Sequence, residues 1–273
     1  MSWGNELLTV AQAYQSDREA ESTGIRELDL MESAGGAVAR FIQGRWSPRP
    51  ISVLCGPGNN GGDGFVVARL LRESGWDVRL SLIGSEQSAQ GDALENLKRW
   101  KEIGQKIYPL DVTDIDERAL VVDAMFGAGL NRPLEGAAKL IVEKINKENK
   151  TCIAVDILSG VNGDTGEVIG SSGAAPKCAA TITFFRPKPG HFLYPGREFR
   201  GSLRVADIGI PETALNSISP KFRVNDPSLW SLPQHSWNDH KYRRGHGVVF
   251  GGSKVTGAAR LAGRGARRAG PAF

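Results

Sequence analysis

Asn59, Asn60 and Asp63 are interleaved with Gly56, Gly58, Gly61, Gly62 and Gly64 in the stretch VLCGPGNNGGDGFVVARLL, Val53 to Leu71. Such a loop, set between a strand end and a helix N-terminus, exposes backbone N–H groups and a positive dipole end. It is a natural seat for phosphate. The glycines are expected to take positive φ and to let a ligand approach the backbone closely. An amide pair and a carboxylate beside a phosphate seat make a polar reaction site. Asp123, and Asp156 with Ser159 close behind it, carry similar chemistry farther along the chain. A helix or turn cap explains any one of these aspartates. It does not explain all three.

Each of these residues follows a short apolar run. Ile51 to Cys55, bounded by Pro50 and Gly56, reads as a buried strand, and apolar residues at helical spacing place a helix from Asp63 to Ser74. Val78 to Ile83, Ala119 to Ala124, Cys152 to Val155, Thr181 to Phe185 and Leu203 to Ala206 read as further strands, with Gln105 to Pro109 as a short one. Helices are expected over Thr9 to Ser22, with Thr9 and Gln12 forming a capping box, over the Met31–Ile42 apolar stripe, over Ala89 to Trp100 and over Leu134 to Asn146. Strands alternating with helices predict an α/β fold with a three-layer, doubly wound, mainly parallel sheet. Ligands of such sheets bind beyond the carboxyl ends of the strands, where all three polar groups lie.

A chain of 273 residues is long enough for one large α/β domain, or one domain plus part of another. No apolar run approaches the roughly 18 residues of a membrane span, and MSWGNELLTV lacks the pattern of a secretory signal. Cys55, Cys152 and Cys178 show no metal spacing, and the first two fall in buried strands, which fits a reducing cytoplasm. The basic balance is local. From Asp226 onward there are eight Lys/Arg against two Asp, without interleaved stacking aromatics, so no nucleic-acid role is expected.

Gly56, Gly58 and Gly61 also satisfy G-x-G-x-x-G, which alone is weak support for a dinucleotide-dependent oxidoreductase. That fingerprint wants an acid at the end of the next strand. Glu86 is only a loose candidate, and Asp77 stands at the wrong end.

Four segments together carry a more specific likeness. GPGNNGGDGFVVARLL, VVDAMFGAGLNRP, AVDILSGVNGDTGEV and TFFRPKPGHFLYPGREFRGSLRVADIGIP, with LMESAG before them, resemble the NAD(P)H-hydrate epimerase domain in consistent order over residues 8 to 211. HKYRRGHGVVFGGSKVTGAARLAGRGARRAG, His240 to Gly270, looks like the start of the ADP- or ATP-dependent NAD(P)H-hydrate dehydratase domain, which is ribokinase-like. The resemblance implies an epimerase domain over residues 1–222, a linker over 223–239 and an incomplete dehydratase fragment over 240–273. The proline-bearing stretch from Pro211 to Asp239 reads as linker throughout. Within the fragment, Gly247 to Phe250 is expected as a strand, and no dehydratase activity is expected of so short a segment.

The resemblance further implies a Rossmann-like fold, a bound potassium ion (K+) and a small-molecule substrate, NADHX or NADPHX. It leaves a homodimer open. Asn59, Asn60, Gly61, Gly62 and Asp63 would hold the nucleotide, as would Gly127, Ala128, Gly129, Leu130, Asn131, Arg132 and Pro133. Asp156 would contact the hydrated nicotinamide. Asn60, Asp123 and Ser159 would ligate potassium. The chain departs from the family at Leu158, where proline is usual, and at Ser33, where asparagine is usual. Asp156 is the expected general acid, because burial raises a carboxyl pKa, and Asp63 is the second candidate. The alternatives are a non-catalytic nucleotide-binding or interaction module on the same fold, and the oxidoreductase.

Overall fold

Alternation of apolar residues along short strands decides which face of one parallel sheet each side chain meets. The computed structural model describes residues 4–269 apart from 119, 232, 233, 235, 241, 244 and 255. In chain order the elements are β1 (Glu6–Leu7), α1 (Val10–Ser22), α2 (Glu27–Gln43), β2 (Ile51–Cys55), α3 (Asn59–Glu73), β3 (Val78–Leu82), α4 (Gly91–Glu102), β4 (Tyr108–Pro109), β5 (Leu120–Ala124), α5 (Gly136–Lys147), β6 (Thr151–Val155), β7 (Ala180–Phe184), α6 (Gly196–Phe199), β8 (Ser202–Ala206), α7 (Ala214–Ile218), β9 (Phe222–Arg223) and α8 (Gly257–Ala269). The chain divides into two units, Met1–Val224 and Asn225–Phe273.

The first unit holds a seven-stranded sheet of order β4-β3-β2-β5-β6-β7-β8, every neighbouring pair parallel. The chain runs outward from β2 through β3 to β4, then returns to start again at β5 beside β2. The strand order therefore reverses between β2 and β5. A crevice opens at such a switch point.

Both faces are covered, as a parallel sheet requires. Val53, Cys55, Val122, Ala124, Ile153 and Val155 point to one side, into a core with Val38 and Ile42 of α2, Phe65 and Leu71 of α3 and Trp100 of α4. Leu54, Val121, Cys152 and Ala154 point to the other, against Ile141, Val142 and Ile145 of α5. A third cluster joins Leu8, Ala20 of α1 and Leu30 of α2 to Phe185, Ile208, Ile210 and Ile218. The Thr9–Gln12 capping box starts α1 as the residue types predict. Residues 211–223 belong to this unit rather than to a linker. Ala214 and Ile218 of α7 are buried, and β9 pairs antiparallel with β1.

The glycine segment differs from expectation. Helix α3 begins at Asn59, so Asn-Asn-Gly-Gly-Asp-Gly is its first turns and not a loop before it. None of Gly56, Gly58, Gly61, Gly62 and Gly64 takes positive φ. What Gly56, Gly61, Gly62 and Gly64 share is a position with no room for a Cβ. A Cβ on Gly61 would lie 1.8 Å from the carbonyl oxygen of Gly56, and one on Gly56 would lie 1.8 Å from that of Met125. One on Gly64 would meet Ala124 and Cys55 at 2.7 Å, and one on Gly62 the Met31 sulfur at 2.5 Å. The helix thus sits directly on the ends of β2 and β5.

In the second unit, Gly247 to Phe250 is not a strand, and Val248 and Phe250 are exposed. A strand without a neighbour leaves its backbone groups unpaired. Helix α8 forms despite its glycines but buries none of its residues. Met1 to Trp3 of the signal reading, Ala119 of the strand expected over Ala119 to Ala124, and Lys241, Arg244, Val255 and Gly270 of the dehydratase-like stretch lie outside the described residues. No described helix is long and apolar enough to cross a membrane.

The glycine packing makes a paired prediction. Gly58 has open space around its missing Cβ. Gly58→Ala should therefore change stability by under about 0.5 kcal/mol, whereas Gly61→Ala should cost about 3 kcal/mol or more. Urea unfolding of the two variants checks it; equal midpoints would refute the packing role of Gly61.

Candidate active site

The crevice at the switch point holds a cavity of about 140 Å³ lined by both charged and apolar residues. Asn59, Asn60 and Asp63 reach it from α3, Tyr14 and Asp17 from α1, and Glu27 from α2. Gly127 and Ala128 follow β5, Asp156 follows β6, and Lys188 follows β7. Leu30, Met31, Phe184, Ile208 and Ile210 form much of the apolar wall.

Asp156 and Lys188 are its best-defined pair. Lys188 Nζ lies 2.7 Å from Asp156 Oδ1, and Thr183 Oγ1 donates to the same oxygen at 2.8 Å. Strands β6 and β7 both end in a tight three-residue turn around a residue of positive φ. At Asp156 φ is 60°, with Ile157 N–H donating to Val155 O at 2.7 Å; at Phe185 φ is 56°, with Arg186 N–H donating to Phe184 O at 2.6 Å. This γ-turn form is rare and strained, at about 1–3 kcal/mol each. His191, wholly buried, braces the first turn. Its Nδ1 accepts the Lys188 N–H at 3.0 Å, so its Nε2–H must donate to Asp156 O, 2.9 Å away. That arrangement requires a neutral ring. Burial and the nearby Lys188 push the His191 pKa down to about 4, against the pull of Asp156.

The charges of the carboxyls are sorted by this geometry. Burial acts to raise the Asp156 pKa, but the Lys188 charge and hydrogen bond, with His191 and Thr183, outweigh it and hold Asp156 below the ordinary carboxylate range. The expectation that burial makes Asp156 a proton donor is therefore corrected. Asp63 behaves the other way. Burial, then the charges of Asp156, Asp17 and Glu27, push it well above the usual range, and Lys188 does not offset them. Burial likewise raises Asp17 to about 6. Burial and the charges of Asp156 and Asp17 keep the Tyr14 phenol protonated. The Glu27 carboxylate accepts from Asn59 Nδ2 at 2.7 Å.

Asp123 and Ser159 lie under this surface, both fully buried. Ser159 donates to Asp123 from its backbone N–H at 2.9 Å and from Oγ at 2.6 Å, and its Oγ accepts Phe126 N–H at 2.9 Å. Burial raises the Asp123 pKa, partly offset by the bonds from Ser159 and Met125. No cationic side chain among the described residues pairs with it. Asn60 is buried with neither Oδ1 nor Nδ2 satisfied, beside Gly127. The unpartnered Asn60 amide oxygen, the Asp123 carboxyl and the Ser159 hydroxyl are each of the donor type that a large monovalent cation takes. Among the described residues there is no cluster of His, Cys, Asp and Glu for a transition metal.

The other expected residues divide. Gly61 and Gly62 are buried in the packing of α3 and do not line the cavity. Leu130, Arg132 and Pro133 line a second cavity of about 300 Å³, with Phe126 and residues that follow β3 and β4. Gly129 sits against the Tyr14 hydroxyl, and Asn131 lines neither cavity. Glu86, the loose ribose-binding candidate, is bonded to Lys101 at 2.8 Å. Sequence reasoning missed Asp17, Lys188 and His191. A fourth strand end, that of Thr181 to Phe185, followed within six residues by Arg186, Lys188 and His191, was the available signal for the last two.

The family described as YjeF-related protein N-terminus matches residues 27–190, which include α2, α3, Asp123, Asp156, Ser159 and Lys188. A relative from Rhodobacter capsulatus, named NAD(P)H-hydrate epimerase, is 41% identical over 215 residues, covering 75% of this chain and 96% of the relative. The chain belongs to the YjeF-related N-terminal family. A bifunctional NAD(P)H-hydrate repair enzyme from Thermofilum pendens is 40% identical over 262 residues, 91% of this chain and 48% of that protein. One from Moorella thermoacetica is 37% identical over 97% of this chain and 52% of its own length. This YjeF-related chain thus spans about half the length of those two relatives. The crystal structure of yeast Ynu0 shares the fold, with TM-score 0.65 and 24% identity over 80% of this chain and 94% of that one.

The His191 brace of this YjeF-related chain sets a pH dependence. A histidine held neutral in the fold and free to protonate when unfolded costs stability as pH falls from about 6.5 toward 4. His191→Gln keeps a donor and an acceptor without the titration. Relative to that variant, the native chain should lose about 3 kcal/mol between neutral pH and about pH 4, the carboxyl contributions cancelling in the difference. Parallel urea curves would refute the neutral brace.

Proposed function

We propose that this chain is an NAD(P)H-hydrate epimerase, interconverting the R and S forms of NADH or NADPH hydrated at ring carbon 6. One observation carries the reading. Two buried aspartates line one cavity at the switch point, Asp156 bonded to Lys188 and held below the ordinary carboxylate range, Asp63 pushed well above it by burial and by the charge of Asp156. Two carboxyls with opposed pKa shifts divide the work of acid and counter-charge. Asp63 donates a proton to the leaving hydroxyl, and Asp156 stabilises the planar iminium that remains. Water then adds to either face. The apolar wall limits the approach of bulk water to the cation.

The loop from Gly127 to Pro133 has its start in this cavity and its end in the second one. A dinucleotide with its nicotinamide half near Asp156 and its other half toward Arg132 suits that layout, with phosphate between them near the N-terminus of α3. Asn60, Asp123 and Ser159 would hold potassium. When bound, the ion supplies positive charge that compensates Asp123 and the phosphates. Three free, buried cysteines suit a reducing compartment such as the cytoplasm.

The reading is tested by following loss of stereochemical purity of one hydrate epimer. The native chain should accelerate it, and Asp156→Asn should slow it by about 100-fold or more at saturating substrate. Full activity in that variant would overturn the assignment of Asp156. Asp123→Asn should flatten the dependence of rate on potassium concentration, and an unchanged potassium response would remove Asp123 from the ion site.

A further inference from the structure

Epimerisation by loss and return of water needs proton transfer on two sides of the ring. On one face the hydroxyl takes up a proton and leaves as water; on the other, an incoming water gives one up. The cavity offers Tyr14, Asp17, Glu27, Asp63 and Asp156 for these tasks. Asp156 is bound to Lys188 and Thr183. Glu27 is bonded to Asn59. The Tyr14 phenol holds its proton too firmly to accept one from water. Asp63 and Asp17 remain, and the structure gives neither carboxyl a hydrogen bond or ion pair with a described residue.

They also reach the cavity from separate elements. Asp63 lies in the first turns of α3, over the ends of β2 and β5. Asp17 comes from α1, which belongs to none of the strand–helix units and precedes the residues matched by the family profile. Helix α1 is firmly placed. Its capping box closes it, and Asp164 Oδ1 accepts the Val10 N–H at 2.7 Å.

We propose that Asp17 is the second proton-transfer group of this site, serving one face of the substrate ring while Asp63 serves the other. The inference rests on the epimerase reading and deepens it. In one direction, protonated Asp63 gives its proton to the hydroxyl, the C6–O bond breaks, and the ring nitrogen lone pair forms the iminium. Water then bonds to C6 on the opposite face, the iminium electrons return to nitrogen, and the Asp17 carboxylate takes the surplus proton. The reverse direction exchanges the two roles, and solvent resets both groups. Lys188, Asp156, Asp63, Glu27, Glu21 and Tyr14 are the charged and titratable groups that face Asp17. Under their influence and that of burial, its pKa of about 6 lets it give and take protons near neutrality.

The test uses each hydrate epimer carrying ¹⁸O in its ring hydroxyl, with inversion and loss of label to solvent measured separately. The native chain should do both with either epimer. Asp17→Asn should lose inversion by about 100-fold or more, yet keep label exchange with one epimer and lose it with the other. Asp63→Asn should show the mirror pattern. Retained exchange of one epimer also proves that the variant is folded and binds substrate. Unimpaired inversion in Asp17→Asn, or equal loss of exchange with both epimers, would overturn the proposal. Absence of both activities in the native chain would instead remove the epimerase reading beneath it.

Discussion

The contact between Lys188 Nζ and Asp156 Oδ1 is the interaction on which the rest of the site depends. Lys188 is the one cationic residue among the described residues lining a cavity that also holds Asp17, Glu27, Asp63 and Asp156. In apolar surroundings several neighbouring carboxyls cannot all stay ionised. Lys188 favours ionisation at Asp156 above the others. It stabilises the negative form of Asp156 most, because it bonds to it directly, and leaves Asp63 to be governed by burial and repulsion. The opposed pKa shifts of Asp156 and Asp63 thus depend on where a single ammonium group is anchored.

That anchoring is a property of the sheet. Adjacent strands β6 and β7 end in matching γ-turns, and the residues beyond them are tied together by a buried neutral imidazole. Strain in the Asp156 turn persists because Lys188, Thr183 and His191 over-determine its position. On the other side of the switch point, the glycines of α3 do complementary work. They let a helix start almost on top of two strand ends, which brings Asn59, Asn60 and Asp63 into the crevice.

Much of this was legible in the sequence, for definite reasons. Buried parallel strands such as Ile51–Cys55 are short, apolar and β-branched, so their places follow from composition and punctuation. Strand-end polar residues converge because the fold class demands it, which put Asn60, Asp63 and Asp156 at one cavity. Three things were not legible. Glycines chosen for positive φ and glycines chosen for close packing are the same letter, so the role of Gly61 depended on knowing what lies above it. The pKa of Asp156 is a balance between burial and a lysine distant in sequence, and only burial follows from a strand-end position. Asp17 sits on a helix whose polar residues look like any solvated face until that helix is laid across the crevice. The strand expected at Gly247 to Phe250 failed for a related reason: strand character in a sequence is realised only beside a pairing strand, and no sheet among the described residues includes this segment.

The division of charge in the site rests on the ionisation states of two aspartates. Carbon-13 NMR of the side-chain carboxyls, followed against pH in the native chain, reads them directly. Asp156 should titrate below the ordinary aspartate range and Asp63 well above it. Both carboxyls titrating together in the ordinary range, or Asp156 above Asp63, would contradict the division of charge from which the rest is built.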